Sequence, residues 1–258
     1  MKLSEEQIAF YDVAKNFAIE KMEPYAEKWD EEKTLPVDTL KELAQLGFAG
    51  IYVSPDLGGS GLSRLDSTLI FEGLSQGCTS TAAFLSIHNM ATWMIDSFGN
   101  QELRERYVPD LCTMQKISSY CLTEPGAGSD AGGLRTKAEK SGDYYILNGT
   151  KSFISGGGFS DLYVTMVKTG ENSISTFAIE KGTEGLSFGG QEKKMGWNSQ
   201  PTAQVIFEDC KVPAKNLIGQ EGDGFKIAMK GLDGGRLNIA ACSLGTAQSA
   251  FNLSLIHI

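Results

Sequence analysis

The sequence has 258 residues, more than one comfortable domain of about 150, so two or three folded units are expected. Hydrophobic residues make up 41% and charged residues 21%, ordinary globular usage that excludes a disordered chain. With 23 basic against 32 acidic residues, the net charge of -9 argues against nucleic acid or an anionic membrane as partner, because both require a basic surface.

Single cations and glycine-rich backbone can still hold a small phosphate ligand within such a chain. The five cysteines, Cys78, Cys112, Cys121, Cys210 and Cys242, are odd in number and contain no C-x-x-C. Neither a zinc site nor a disulfide framework is indicated, no metal is expected, and a reducing compartment fits. No apolar run approaches the roughly 20 residues of a membrane span, and Met1-Lys2-Leu3-Ser4 leads into a capped helix rather than a transit segment.

Residues 1–114 read as helices. Ser4 and Gln7 have the spacing of a capping box, with Phe10, Ala14, Phe17 and Ala18 recurring behind them at helical intervals. Pro24 should kink or end that helix. A second helix is predicted over residues 36–46 with Gly47 as its cap, followed by a loop at 54–61. Ser63 with Asp66 opens a third helix, and residues 80–98 are apolar nearly all round, as a buried helix must be. His88 on that helix is read as a satisfied core histidine without a catalytic role. Glu20, Glu72 and the run Asp30-Glu31-Glu32 are read as solvated helix faces, and the scattered Met residues as core filler.

From Lys116 the period changes to strands, at 117–122, 144–147, 162–167, 174–179 and 203–207, so residues 115–214 are expected to form an antiparallel β domain, a barrel or sandwich. A turn containing Gly219, Gly222 and Gly224 then leads into a helical stretch over about residues 225–251, and 215–252 are expected to begin a C-terminal helical bundle. Leu253-Ser254-Leu255-Ile256-His257-Ile258 is the in-frame translation of CTGTCTCTTATACACATC, a transposon end used as a sequencing adapter. Residues 253–258 are therefore expected to be an adapter-derived tail on a C-terminally truncated chain. The last helix should then expose Ile227, Met229, Leu232, Leu237, Ile239, Ala240, Leu244 and Phe251, for want of a later helix to cover them.

One stretch carries chemistry on its face. Tyr120-Cys121-Leu122-Thr123-Glu124-Pro125-Gly126-Ala127-Gly128-Ser129-Asp130 follows a strand and reads either as a phosphate-approach loop or as an ordinary turn. It is not a dinucleotide-binding fingerprint, because Gly126, Gly128 and Gly132 give G-x-G-x-x-x-G in a β context.

Together with that loop, Leu147-Asn148-Gly149-Thr150-Lys151-Ser152-Phe153-Ile154-Ser155-Gly156, residues 218–225 and Leu232-Asp233-Gly234-Gly235-Arg236 make the sequence resemble the acyl-CoA dehydrogenase family from Leu3 to about Asn252. Residues 77–81, 86–90 and 195–202 are most similar to the branch acting on isobutyryl-CoA in valine breakdown. The resemblance implies an α+β multidomain fold with FAD as cofactor. Tyr120, Cys121, Leu122, Thr123, Gly126, Gly128 and Ser129 would line the flavin on one side, with Leu122 and Thr123 at its pyrimidine end and Gly128 and Ser129 at its pyrophosphate. Phe153, Ile154 and Ser155 would cover the other side, where the commoner family pattern has Trp and Thr at the outer positions. Ser129, Asp233, Gly234, Gly235 and Arg236 would meet acyl-CoA, and the two adjacent glycines, each costing about 1 kcal/mol in a helix, are explained by close approach of that ligand.

The resemblance further implies a homotetramer passing electrons to electron-transfer flavoprotein, in the bacterial cytoplasm or, in a eukaryote, the mitochondrial matrix. The base that removes the α-proton is a Glu at one of two family positions. One is occupied here by Gly235 and the other is expected beyond Ile258, so the chain as it stands is expected to be inactive. Alternatives are another short-chain acyl-CoA dehydrogenase, a flavin or nitroalkane oxidase on the same fold, and a non-catalytic FAD or acyl-CoA binding module.

Overall fold

The computed structural model describes residues 2–258. Helix α1 (Glu5–Phe17) starts at a complete capping box, Gln7 N donating to Ser4 Oγ at 3.2 Å and Ser4 N to Gln7 Oε1 at 3.1 Å. Pro24 does not end the helical run. One π-helical turn over Ala18–Met22 lets Glu23 N–H reach back to Ala18, and α2 (Glu23–Glu31) continues with the proline in its first turn, where the missing N–H costs nothing. Helix α3 (Val37–Gln45) is followed by Gly47 at φ 80. Helix α4 (Arg64–Ser75) has its own capping box at Ser63 and Asp66, and Gln7 Nε2 donates to Asp66 Oδ1 at 3.0 Å, so the two caps brace each other. Helix α5 (Thr79–Phe98) is buried along most of its length, as its apolar circumference requires. Helix α6 (Gln101–Cys112) is capped by Asn100 and contains Pro109.

Among the described residues the sheet has eight strands: β1 (Ser118–Cys121), β2 (Lys137–Ser141), β3 (Tyr144–Ser155), β4 (Leu162–Gly170), β5 (Ser173–Glu180), β6 (Leu186–Phe188), β7 (Thr202–Pro213) and β8 (Leu217–Ile218). Their order is β6-β7-β3-β2-β4-β5-β8, with β1 also paired to β4. Most pairs are antiparallel as expected, but β1 runs parallel to β4, and β2 meets β4 in parallel at Lys137 and Lys168. Strands β3 and β7 pair from Tyr144–Pro213 to Ser155–Thr202 with two irregularities. One gives β7 an extra residue near Asp209, the other gives β3 an extra residue near Phe153.

Helix α7 (Gly224–His257) closes the described chain and packs on α4 and α5. By length and mean hydropathy it is apolar enough to cross a membrane, which corrects the expectation that no run approaches a membrane span; the glycines and small residues that interrupt it keep it from reading as one unbroken apolar stretch. Its exposed face is narrower than expected. Leu237, Leu244 and Phe251 are exposed, but Ile227 is buried against the sheet-facing core and Met229, Leu232 and Ile239 are half-buried. The apolar interior falls into a cluster among α1, α3, α4 and α5, one within the sheet, and a third joining α5 and α6 to β1, β4 and the start of α7. His88 ties this third cluster together: Ser118 N–H donates to Nδ1 at 3.1 Å, and Nε2 donates to the Leu111 carbonyl at 3.0 Å. Burial pushes its pKa down to about 4, so it is neutral and structural, as read from the sequence.

Candidate functional site

The loop after β1 is held from below and open above. Glu124 and Ala127 exchange backbone hydrogen bonds of 3.0 and 3.1 Å, closing a tight turn over Pro125 and Gly126. Ala127 packs inward, while Gly126, Gly128 and Ser129 form an exposed crest. A methyl group added to Gly126 or Gly128 would meet no protein atom, and neither residue has positive φ. The chain's own packing therefore gives no reason for glycine there, whereas close approach of an external anion does.

Beside the loop stands the β3 bulge. Ser152 N–H donates to the Thr123 carbonyl at 2.8 Å, joining the two segments. Phe153 sits at φ 58 and is 66% exposed, an unusual conformation for a bulky residue and an unusual place for an aromatic. The bulge accounts for the backbone conformation, and the exposed ring offers a flat ligand a stacking face. Ser155 is half-buried and its Oγ accepts from Gln200 Nε2 at 2.6 Å, which leaves the hydroxyl proton free to point elsewhere.

Gln200 belongs to a loop the sequence reading did not connect with the site. Lys194 Nζ donates to the carbonyls of Trp197 and Gln200, at 2.7 and 2.5 Å, and to Thr202 Oγ1 at 2.9 Å. Asn198 bonds both oxygens of Asp30, at 2.6 and 2.9 Å, and these bonds hold the Asp30 carboxyl below its ordinary value. Asp30 is thus a tether rather than part of a solvated face. Glu72 is likewise half-buried, and burial pushes its carboxyl up.

Two expected flavin contacts present no side chain to a ligand. Cys121 is fully buried and Ile154 is 2% exposed, both in the core of the sheet, which leaves only their backbone to a ligand. Tyr120 lies half-buried between the layers with its hydroxyl 3.4 Å from the Ala228 carbonyl on α7. Burial raises its pKa, with the neighbouring Cys121 adding to the rise and the Arg236 charge opposing it. Asp233 and Arg236 are exposed and paired at 3.2 Å. The glycines between them are buried for an internal reason. A Cβ on Gly234 would strike the Arg64 guanidinium, and one on Gly235 would press on Met90 Sδ at 3.1 Å, so helix packing accounts for both without a ligand. Among the described residues, no three His, Cys, Asp or Glu side chains are grouped to hold a metal.

The chain matches the family models of the acyl-CoA dehydrogenase N-terminal domain over residues 4–115, the middle domain over 119–210 and the C-terminal domain over 222–258, and it belongs to that family. Among characterised relatives it is 60% identical to the mitochondrial isobutyryl-CoA dehydrogenase of Bos taurus over 98% of its own length, and it spans 62% of that protein. Butyryl-CoA dehydrogenase from Megasphaera elsdenii superposes with a TM-score of 0.91 at 37% identity, covering 97% of this chain and 68% of the other. A FAD complex of PigA superposes at 0.95 with 31% identity, covering 99% and 68%.

Proposed function

We propose that this chain forms the flavin and thioester surface of an enzyme that dehydrogenates a short branched acyl-CoA, isobutyryl-CoA to methacrylyl-CoA, with electron-transfer flavoprotein as acceptor. The observation that carries this reading is the exposed Gly126, Gly128 and Ser129 crest bonded to a bulge that presents Phe153 outward, an open glycine pair and an exposed aromatic that the chain's own packing does not explain. The 60% identity to a dehydrogenase named for isobutyryl-CoA supports the acyl group.

Bound FAD would supply the acceptor for the hydride from Cβ. The chain's residues bind and orient. Gly128 and Ser129 meet the pyrophosphate, Leu122 and Thr123 the pyrimidine end, and Phe153 lends a stacking face. Ser155, its oxygen engaged by Gln200, directs a hydroxyl proton toward the ring. Asp233 accepts from the pantetheine amide and Arg236 offers the nucleotide a planar cation. In this reading the α-proton goes to a carboxylate outside residues 1–258, because the family's other position for it is Gly235, buried against Met90.

The test compares this chain with a chimera that adds the C-terminal part of the Bos taurus relative not matched here. Both are expected to bind FAD, and isobutyryl-CoA is expected to drive dye reduction in the chimera alone. Absence of FAD from both proteins would sink the proposal.

A further inference from the structure

The loop hangs on a buried ion pair that the reading above does not use. The Lys151 side chain is 0% exposed and that of Glu124 5%, with Nζ 2.7 Å from Oε1. Glu124 also accepts backbone N–H bonds from Arg135 at 2.5 Å and Thr136 at 3.0 Å. Burial pushes the Lys151 ammonium down. Burial, the largest influence, works to raise Glu124, but the Lys151 charge together with the hydrogen bonds from Lys151, Thr136 and Arg135 holds the carboxyl below its ordinary value. Stability alone is a weak reason to keep such a pair, since desolvating two charges offsets most of their attraction.

A second bond from the lysine gives a stronger reason. Lys151 Nζ donates to the Leu122 carbonyl at 3.1 Å and so turns that oxygen inward. Among the described residues every peptide is trans, and a planar trans peptide points its N–H opposite to its carbonyl, so the Thr123 N–H faces away from Lys151. The Thr123 carbonyl is taken by Ser152, while its N–H has no acceptor among the described residues. The result is a donor fixed in direction by a charge-assisted bond on its other side.

We propose that Lys151 and Glu124 are positioning residues for the flavin: their ion pair locks the Leu122–Thr123 peptide so that the Thr123 N–H stands ready for the pyrimidine edge of FAD. The inference rests on the flavin reading. Negative charge builds at that edge on reduction, so a fixed donor there favours the reduced form over the oxidised one.

The wild-type chain and the double variant K151M/E124Q, which removes both charges together, are titrated with FAD and with anaerobically reduced FAD. The dissociation constant for reduced flavin is expected to rise at least tenfold more than that for oxidised flavin, equivalent to a fall of about 30 mV in the two-electron potential. A merely structural role weakens both forms alike, and that result overturns the inference. Amide exchange in the wild-type chain needs no variant to fold: the Thr123 N–H is expected to exchange at least a hundredfold more slowly once FAD is bound. An unchanged rate overturns the inference with the flavin reading intact, whereas a wild-type chain that binds no FAD overturns both.

Discussion

Arg64 lies across the Tyr52 ring, 3.6 Å from its centroid, and fills the space that a side chain on Gly234 would need. A Gly-to-Ala change inside a helix ordinarily stabilises by about 1 kcal/mol. Here G234A is expected to destabilise by about 1–3 kcal/mol, because the guanidinium must leave two aromatic faces, Tyr52 and Trp93. Urea unfolding of G234A, R64A and the double variant checks this. The two costs should be strongly non-additive, the double variant being little worse than R64A.

His88 predicts a pH dependence. Its folded pKa of about 4 lies below the ordinary 6.5, so the unfolded chain binds the extra proton first. Its contribution to stability is complete above pH 6.5, shrinks as pH falls from there toward 4, and changes no further below. Between pH 7 and pH 5 this amounts to about 2 kcal/mol. Denaturant midpoints at the two values measure it, and H88N should abolish most of the difference while lowering stability at both.

Phe153 holds a backbone conformation suited to glycine. F153G should therefore raise the stability of the ligand-free chain by about 1 kcal/mol, since left-handed backbone costs a bulky residue that much or more. The same change should weaken FAD binding at least tenfold. Thermal unfolding and a flavin titration on one preparation test whether stability and binding move in opposite directions.

Gly128 gives the converse case. Because open space surrounds it, G128A should leave unfolding within about 0.5 kcal/mol of wild type. Its flavin affinity should fall at least tenfold, as the added methyl intrudes on the ligand alone. Equal affinity for the two proteins would remove the argument from the exposed crest.

The helical layer was legible because its signals are local: both capping boxes, the glycine after α3 and the apolar circumference of α5 stand in the sequence as single short patterns. Strand β2 was missed because only Ala138 of its five residues is buried, so no alternation marks it. Strands β6 and β8, with three and two residues, are too short to carry a period. In the candidate site, Thr123, Ser155 and Gly126 were singled out by the resemblance, as were Cys121 and Ile154, whose side chains face the sheet core. Lys151 and Glu124 were passed over inside the very motifs that carried the resemblance, because a charged letter between polar ones reads as surface. Gln200 lies 45 residues from its partner Ser155, a separation that no local pattern spans.

The two irregularities between β3 and β7 behave like a paired insertion and deletion in a reading frame. Each strand is 12 residues long, and the pair enters and leaves in the same phase, with only the stretch between the bulges shifted by one. That shift allows Lys151 and Ile154, three residues apart on one strand, both to point into the protein while Phe153 is expelled between them. Removing one residue at either bulge would throw every later side chain of that strand onto the wrong face, whereas removing one from each would restore the frame and silently erase the projecting ring. The length of this strand pair is thus constrained jointly: a change tolerated in both strands together is ruinous in either alone.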